Sequence, residues 1–134
     1  MVLDPNVLIS AAITPSGATA EVIRLIDSGM LVPIVSPLLL SELARVLGRP
    51  RFRRYIGINV ATAFILELER LAEVAPDVTE APAVSRDRAD DYLIALARTA
   101  SADALVSGDP DLLTLRLADL PILSPRELLE AFAR

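Results

Sequence analysis

Residues 31–47 read LVPIVSPLLLSELARVL, and this stretch decides the class of fold. The run Leu31–Val35 is continuously apolar, which is typical of a strand buried on both faces of a parallel sheet. Ser36 then supplies a helix N-cap, and Pro37 occupies the first helical position, where proline is favoured. The stretch therefore predicts a buried strand that passes directly into a helix ending near Leu47.

The same alternation of short β-type runs and longer helical runs continues on both sides of this stretch. Toward the N-terminus, the pattern predicts a short strand at 1–3 and helices at 6–13 and 18–26, with Gly29 as a stop signal. Toward the C-terminus, it predicts strands at 74–78, 104–106 and 122–123, and helices at 59–73, at 87–100 and from 124 onward. Asn59 is the predicted cap of the first of these helices, and a capping box, Ser124-Pro125-Arg126-Glu127, opens the last. This order predicts an α/β fold with a mostly parallel sheet of four or five strands, covered on both faces.

The amino-acid composition excludes several kinds of functional site. The 134 residues, 53% of them hydrophobic, suit a single globular domain that spans 1–134. The absence of cysteine and histidine excludes disulfides, thiolate or imidazole metal sites, and catalysis by a histidine base. All thirteen basic residues are arginine, so phosphate loops, Schiff bases and kinase sites that need a lysine are excluded too. Any catalysis must therefore depend on carboxylates, together with a hard metal ion.

Charge and hydropathy limit the partners and the location. The net charge of −5 argues against indiscriminate binding to nucleic acid or to an anionic membrane, but it leaves room for a local basic patch. The most apolar stretch, Met30–Leu40, is too short to span a bilayer and contains two prolines. Asp4 lies close to the start and no basic residue precedes it, so no secretion signal is predicted. We therefore expect a soluble, cytoplasmic protein without a membrane partner.

Acidic residues from four separate segments are predicted to meet at one edge of the sheet. Carboxyl ends of parallel strands, and the first turns of the helices that connect them, lie at the same edge, where ligands bind in open α/β sheets. The acids placed there by the predicted elements are Asp4, Glu42, Asp90, Asp91, Asp109 and Asp111. Taken singly, most of them are explained as helix caps or as charges that favour a helix N-terminus. Glu42 is harder to explain in this way, because it flanks the apolar stripe of its own helix.

The convergence of these acids points to a metal ion. Two like unit charges about 5 Å apart repel by roughly 3 kcal/mol at an effective dielectric constant near 20. No lysine or histidine is available to offset this repulsion, and no arginine adjoins Asp4 or Asp109 in the sequence. Mg²⁺ and Mn²⁺ prefer carboxylate oxygens, so either ion is the natural counter-ion. The residues alone predict an acidic magnesium or manganese site on a parallel sheet.

Four short motifs carry a resemblance to a known family. They are residues 2–8 (VLDPNVL), 41–43 (SEL), 90–95 (DDYLIA) and 106–112 (VSGDPDL), and in order and spacing they resemble the four acidic motifs of PIN domains. The resemblance covers nearly the whole chain and is nearest to the toxin components of toxin–antitoxin pairs related to VapC toxins. One departure is Pro5, which stands where these proteins usually have a threonine.

The resemblance implies an α/β/α sandwich and a metal-dependent ribonuclease. The implied metal-binding and catalytic acids are Asp4, Glu42, Asp91 and Asp109. The implied supporting groups are Asn6, Asp90, Ser107 and Asp111. The implied chemistry is hydrolysis of an RNA phosphodiester assisted by Mg²⁺ or Mn²⁺, with water as the nucleophile and without a protein base.

A cluster of arginines follows Glu42. Within ten positions stand Arg45, Arg49, Arg51, Arg53 and Arg54, with Phe52 and Tyr55 alongside. One hypothesis is that this cluster grips RNA phosphates beside the acids. The alternatives are a solvated helix end and a docking site for an acidic antitoxin segment.

Several functions therefore compete. The leading hypothesis is an RNA-cleaving toxin with a cognate antitoxin. The alternatives are a PIN nuclease in RNA processing or turnover, and a catalytically silent PIN-like binding module. A receiver-type domain also clusters acids on a parallel sheet, but the missing lysine counts against it. A homodimer is a further expectation from the resemblance.

Overall fold

The computed structural model describes residues 1–14, 16–83 and 88–133, apart from the side chain of Arg88. Five strands form one sheet: β1 (Val2–Leu3), β2 (Ile34–Val35), β3 (Glu73–Val74), β4 (Leu105–Val106) and β5 (Ile122–Leu123). The helices are α1 (Pro5–Ile13), α2 (Ala18–Asp27), α3 (Pro37–Leu47), α4 (Ile58–Leu71), α5 (Arg88–Thr99), α6 (Pro110–Leu113) and α7 (Pro125–Ala133). A 3-10 helix spans Pro50–Arg54 between α3 and α4.

The sheet has the order β3-β2-β1-β4-β5, and its four strand pairs are all parallel. The three central strands β2, β1 and β4 are fully buried, whereas both residues of the edge strand β3 are exposed. Helices α1 to α4 and α7 pack against one another, while α5 contacts β1 and β4. Right-handed crossovers place α5 on the opposite face, because the strand order reverses between β3 and β4. The prediction of a parallel α/β sheet between helical layers is confirmed.

Local capping chemistry set the helix starts that the sequence predicted correctly. Ser36 Oγ accepts a hydrogen bond from the Leu39 amide at the start of α3, over 3.2 Å. The capping box of α7 is formed reciprocally, since Ser124 Oγ accepts from the Glu127 amide and Glu127 accepts from the Ser124 amide. The second of these hydrogen bonds is the main reason that the pKa of Glu127 is lowered.

The main differences from the predicted boundaries concern α4, β2 and β3, and α4 also ends at Leu71 and not at 73. Helix α4 begins at Ile58, with Gly57 as its N-cap, because the Ala61 amide donates to the Gly57 carbonyl; Asn59 is therefore inside the helix and not its cap. Strand β2 pairs only at 34–35, although 31–35 is apolar throughout. Strand β3 occupies 73–74 and not 74–78, and the Ala75 amide makes a last hydrogen bond to Val35 before Pro76, which has no amide proton.

The core lies between the sheet and the two helical layers. It includes leucines that are at most 1% exposed, among them Leu3, Leu43, Leu96 and Leu105. In the parts of the chain that the structure describes, no helix has both the length and the apolar character needed to cross a membrane.

Candidate active site

The acid site is built where strands β1 and β4 end side by side. The strand order reverses at this point, which makes it the place where open parallel sheets bind ligands. Leu3 pairs with Val106, so Asp4 and Ser107 follow as neighbours, and both are buried. Ser107 Oγ donates to Asp4 Oδ2 over 2.8 Å and accepts the Asp109 amide proton over 3.0 Å. The serine hydroxyl thus links the two acids that follow the two strands.

Asp4 and Asp109 also cap the helices that follow them. Asp4 Oδ1 accepts from the Asn6 amide at the start of α1, and Asp109 Oδ1 accepts from the Asp111 amide at the start of α6, over 3.0 and 2.9 Å. The simple explanation of these acids as caps is therefore confirmed. Capping does not use the full hydrogen-bonding capacity of Asp4. A carboxylate has about four lone-pair sites, and Asp4 uses two of them to accept from the Asn6 amide and from Ser107 Oγ.

Four acids from four segments line one cavity of about 480 Å³, which we call the acid cavity. They are Asp4, Glu42, Asp90 and Asp109, and they share the walls with Asn6, Arg45, Tyr92 and several apolar side chains. Glu42 comes from the second turn of α3 and forms an ion pair with Arg45, at 3.6 Å between Oε1 and Nη2. Among the described residues of this wall, Arg45 is the one cationic side chain.

The structure separates Asp90 from Asp91. Both lie in the first turn of α5 and both are buried, at 7% and 6% exposure. Successive helical residues point about 100° apart. Asp90 lines the acid cavity, whereas Asp91 lines two smaller cavities with Val78 and Glu80; Tyr92 lines both the acid cavity and the larger of these two. The resemblance implies Asp91 as the metal-binding acid and Asp90 as its support, and these two roles stay predictions; Asp90 is the one of the two that lines the acid cavity.

Tyr92 ties together the elements that carry Asp90 and Glu42. Its hydroxyl group donates to Asp77 Oδ1 over 2.8 Å and lies 2.5 Å from Ser36 Oγ, which caps α3. Asp77 also accepts from the Leu38 amide, in the first turn of the same helix. The sequence motif that contains Tyr92 does not by itself indicate a role for this hydroxyl group. The signal for it is an aromatic residue with a polar tip on a largely buried helix, since such a tip usually finds a partner.

The same network shifts two pKa values. The pKa of Tyr92 is raised to about 12, chiefly by burial; Asp77 also raises it, and the Ser36 hydrogen bond opposes the shift. Desolvation acts to raise the pKa of Asp77, but hydrogen bonds from Tyr92, Ser36 and the Leu38 amide outweigh it and leave that pKa below its ordinary value. Tyr92 therefore stays a proton donor to a carboxylate across the neutral pH range.

The arginines of the cluster have different surroundings. Arg45 lines the acid cavity. Arg53 instead donates to the Leu47 carbonyl at the end of α3, and its buried Nε and Nη1 atoms have no hydrogen-bond partner among the described residues. Arg51 and Arg54 stand over the rings of Phe52 and Tyr55, at 4.8 and 5.4 Å from the ring centres.

The Arg53 guanidinium binds the end of α3, and the RNA-binding role of the five arginines stays a prediction. Arg49, Arg51 and Arg54 are exposed. They lie beyond the described walls of the acid cavity.

Residues 1–111 match the family model described as PIN domain. This chain belongs to the PIN domain family. It is 29% identical, over 143 aligned positions, to an uncharacterized protein of Methanocaldococcus jannaschii, and the match covers all of this chain and 92% of the relative. Its fold is similar to that of a chain in the crystal structure of VapBC2 from Rickettsia felis bound to a DNA fragment from their promoter. That likeness has a TM-score of 0.62 at 12% identity, and covers 92% of this chain and 96% of the other. The fold expected from the resemblance is confirmed.

PIN domains are generally nucleases. In this PIN domain, the donor set of the acid cavity consists of oxygen atoms, which suits a hard cation such as Mg²⁺ or Mn²⁺. Among the described residues, no group of three acids stands ready-made to hold an ion. Mg²⁺ does not need such a group, because it commonly keeps several waters and is bound through one or two carboxylates. The residues present therefore fit a hydrated divalent ion held by part of the acid set.

Proposed function

We propose that this PIN domain, a single domain over 1–134, is a metal-dependent endoribonuclease that hydrolyses RNA phosphodiester bonds. One observation carries the proposal: Asp4, Glu42, Asp90 and Asp109 come from four separate segments and line one cavity at the carboxyl ends of the strands. Four carboxylates facing one space repel one another and disfavour the fold unless a cation enters. Arg45 supplies a single positive charge, and it is already paired with Glu42.

Each residue of the acid cavity has a role in this proposal. Asp4, Glu42 and Asp109 would hold Mg²⁺ or Mn²⁺, directly or through water. Asp90 would be the fourth ligand because it lines the same cavity, and Asp91, which the motif resemblance implies, is the alternative. When bound, the ion supplies an activated water and neutralises charge that develops on the phosphate. Ser107 and the backbone of Asn6 fix the two oxygens of Asp4, since each donates a hydrogen bond to one of them.

Asp111 and the arginines have supporting roles in this proposal. The amide of Asp111 holds the Asp109 carboxylate, and the exposed Asp111 side chain is left as a secondary group. Arg45 is the residue that would contact an RNA phosphate in the acid cavity, because arginine is well suited to phosphate oxygens. Arg49, Arg51 and Arg54 remain candidates for more distant contacts with the RNA backbone.

The neighbouring acids of α5 provide the experiment. Asp90→Asn and Asp91→Asn remove the same charge from equally buried positions of one helical turn, and only Asp90 lines the acid cavity. We expect Asp90→Asn to abolish Mn²⁺-dependent RNA cleavage and to reduce the rise in Tm that millimolar Mn²⁺ gives the parent. We expect Asp91→Asn to keep both. Equal loss in the two variants, or loss in Asp91→Asn alone, would contradict the assignment.

A further variant guards against a folding defect. Asp109→Asn keeps a capping group for α6 while removing a charge from the cavity wall. It should melt cooperatively without metal and lose cleavage as Asp90→Asn does. A parent protein that cleaves no single-stranded RNA with Mg²⁺ or Mn²⁺ would refute the nuclease proposal and favour a silent binding module.

The biological setting that we propose is that of a toxin with a cognate antitoxin. The support is the likeness in fold to a chain of the VapBC2 complex, together with the resemblance of the four acidic motifs. Expression of the parent should then arrest growth, and co-expression of a small neighbouring reading frame should relieve the arrest. Cleavage without growth arrest would favour RNA processing or turnover instead.

A further inference from the structure

A second cavity, of about 430 Å³, adjoins the acid cavity across Asp4 and Asp109. Asp4, Asn6 and Asp109 line both cavities, so the two spaces meet along these three residues. The remaining walls come from α1, α2, the turn after β4 and the start of α7. We call this space the hydroxyl cavity, because Ser10 and Thr19 form its polar wall away from the acids.

Ser10 and Thr19 form a hydrogen-bonded pair at a helix contact. Their hydroxyl oxygens lie 3.3 Å apart, one on α1 and one on α2, and both residues are half-buried. Each hydroxyl group has one donor proton and two acceptor lone pairs, so their mutual hydrogen bond uses only one of the two protons. The pair can therefore still donate to and accept from a molecule in the cavity, and the two helices hold it in a fixed position.

The charges of the two cavities differ. The described walls of the hydroxyl cavity carry the carboxylates of Asp4 and Asp109 and no cationic side chain, whereas the acid cavity also has Arg45. A phosphate group is repelled by such walls and is favoured beside Arg45. An uncharged group with hydrogen-bonding edges suits the hydroxyl cavity, whose volume lies within the range of small-molecule sites.

We propose that the hydroxyl cavity is a nucleotide subsite. It receives the sugar and base of an RNA nucleotide that flanks the scissile phosphate, and the Ser10–Thr19 pair selects that nucleotide by hydrogen bonding. This subsite rests on the nuclease function proposed above, and it defines a path for the RNA strand across the site. The strand crosses the line of Asp4, Asn6 and Asp109, with its phosphate on the Arg45 side and the flanking nucleoside between α1 and α2.

The test uses Thr19→Val, which removes the hydroxyl group and keeps the shape, and Ser10→Ala as a second variant. The parent and both variants digest a pool of random-sequence single-stranded RNA with Mn²⁺, and the product ends are sequenced. We expect each variant to weaken the base preference at one position beside the cut. We also expect kcat/KM for the preferred sequence to fall about 3- to 10-fold, the range for loss of one neutral hydrogen bond.

A binding measurement and a matched control separate this role from a structural one. Affinity for a fluorescent hexanucleotide RNA of the preferred sequence, measured in EDTA, should fall by a similar factor in Thr19→Val. Thr62→Val is the control, because the Thr62 hydroxyl donates to the Ile58 carbonyl on the exposed face of α4, outside both cavities. It should keep the cleavage pattern and the affinity of the parent.

The outcomes distinguish the two proposals. If the parent cleaves RNA and both subsite variants keep its preference and affinity, the nucleotide subsite is refuted while the nuclease function stands. If Thr62→Val changes the pattern as much as Thr19→Val, the subsite is refuted as well. If the parent cleaves no RNA at all, the nuclease function fails first, and the subsite fails with it.

Discussion

The Ser107 hydroxyl group offers the sharpest test of how the site is held together. Ser107 is fully buried and makes two hydrogen bonds, one to the Asp4 carboxylate at 2.8 Å and one from the Asp109 amide at 3.0 Å. A hydrogen bond to a charged group contributes roughly 1.5–3 kcal/mol, and a neutral one about 0.5–1.5 kcal/mol. Ser107→Ala should therefore lower the free energy of unfolding by about 2 to 4 kcal/mol.

The assay is urea unfolding in EDTA, followed by far-ultraviolet circular dichroism. A domain of this size typically has about 5–15 kcal/mol of stability, so the variant should still fold. Its Tm should fall by roughly 6 to 20 °C, at about 3 to 5 °C per kcal/mol for this chain length. The control is Ser28→Ala, which removes an exposed hydroxyl group that donates to the Leu25 carbonyl at 3.0 Å. The control should change stability by about 0.5 kcal/mol or less.

A second readout connects Ser107 to the proposed metal site. Without the hydroxyl group, Asp4 Oδ2 and the Asp109 amide lose their common partner, so the two carboxylates are held less firmly. The midpoint of the Mn²⁺ titration, read as a gain in Tm, should move to higher concentration. If Ser107→Ala is no less stable than Ser28→Ala, the hydroxyl group does not bridge the two acids and the reasoning fails.

Two further predictions concern Arg45, Arg53 and Tyr92. Arg45→Ala should weaken binding to single-stranded RNA at low salt, lower the slope of log affinity against log salt concentration by about one, and leave the free energy of unfolding unchanged. Arg53→Ala should instead lower the free energy of unfolding by about 1–2 kcal/mol and leave that slope unchanged. The reverse pattern would return Arg53 to the RNA-binding surface. The pKa of Tyr92 is about 12 in the folded protein and about 10 in the unfolded chain. Neutral Tyr92 therefore stabilises the fold fully below pH 10, and this contribution to the free energy of unfolding is lost between pH 10 and 12. Urea midpoints should fall over this interval, and fall less in Tyr92→Phe; equal slopes in both proteins would contradict the Tyr92–Asp77 hydrogen bond.

Local chemistry made much of the fold predictable. A serine followed by a proline is a strong local signal for the start of a helix, because the serine caps the helix and the proline suits its first position. Helices α3 and α7 begin at such pairs, as predicted. Strand lengths were less predictable, because a ladder needs a partner. Strand β1 has only two residues before Asp4 begins the turn into α1, so β2 can pair with it only briefly, although 31–35 is apolar throughout.

The site was predictable to the level of its acids but not to the level of their directions. Parallel strands bring their carboxyl ends to one edge, and this rule alone predicted that Asp4 and Asp109 would lie close together. The rotation of α5 about its axis could not be predicted in this way. Asp90 and Asp91 are both aspartates in the first turn of α5, so residue type and position in the sequence do not distinguish them.

What distinguishes the two acids is the packing of α5 as a whole. The apolar side chains Leu93, Ile94, Leu96 and Ala97 are buried and contribute to the core, which fixes the rotation of the helix on the sheet. Tyr92 adds a second constraint, since its hydroxyl group can reach Ser36 and Asp77 in only a narrow range of rotations. With α5 held in this way, Asp90 lines the acid cavity together with Asp4 and Asp109. A negative charge at the N-terminus of α5 stabilises the helix in any rotation, whereas the rotation that the core sets decides which acid of the first turn lines the cavity of Asp4 and Asp109.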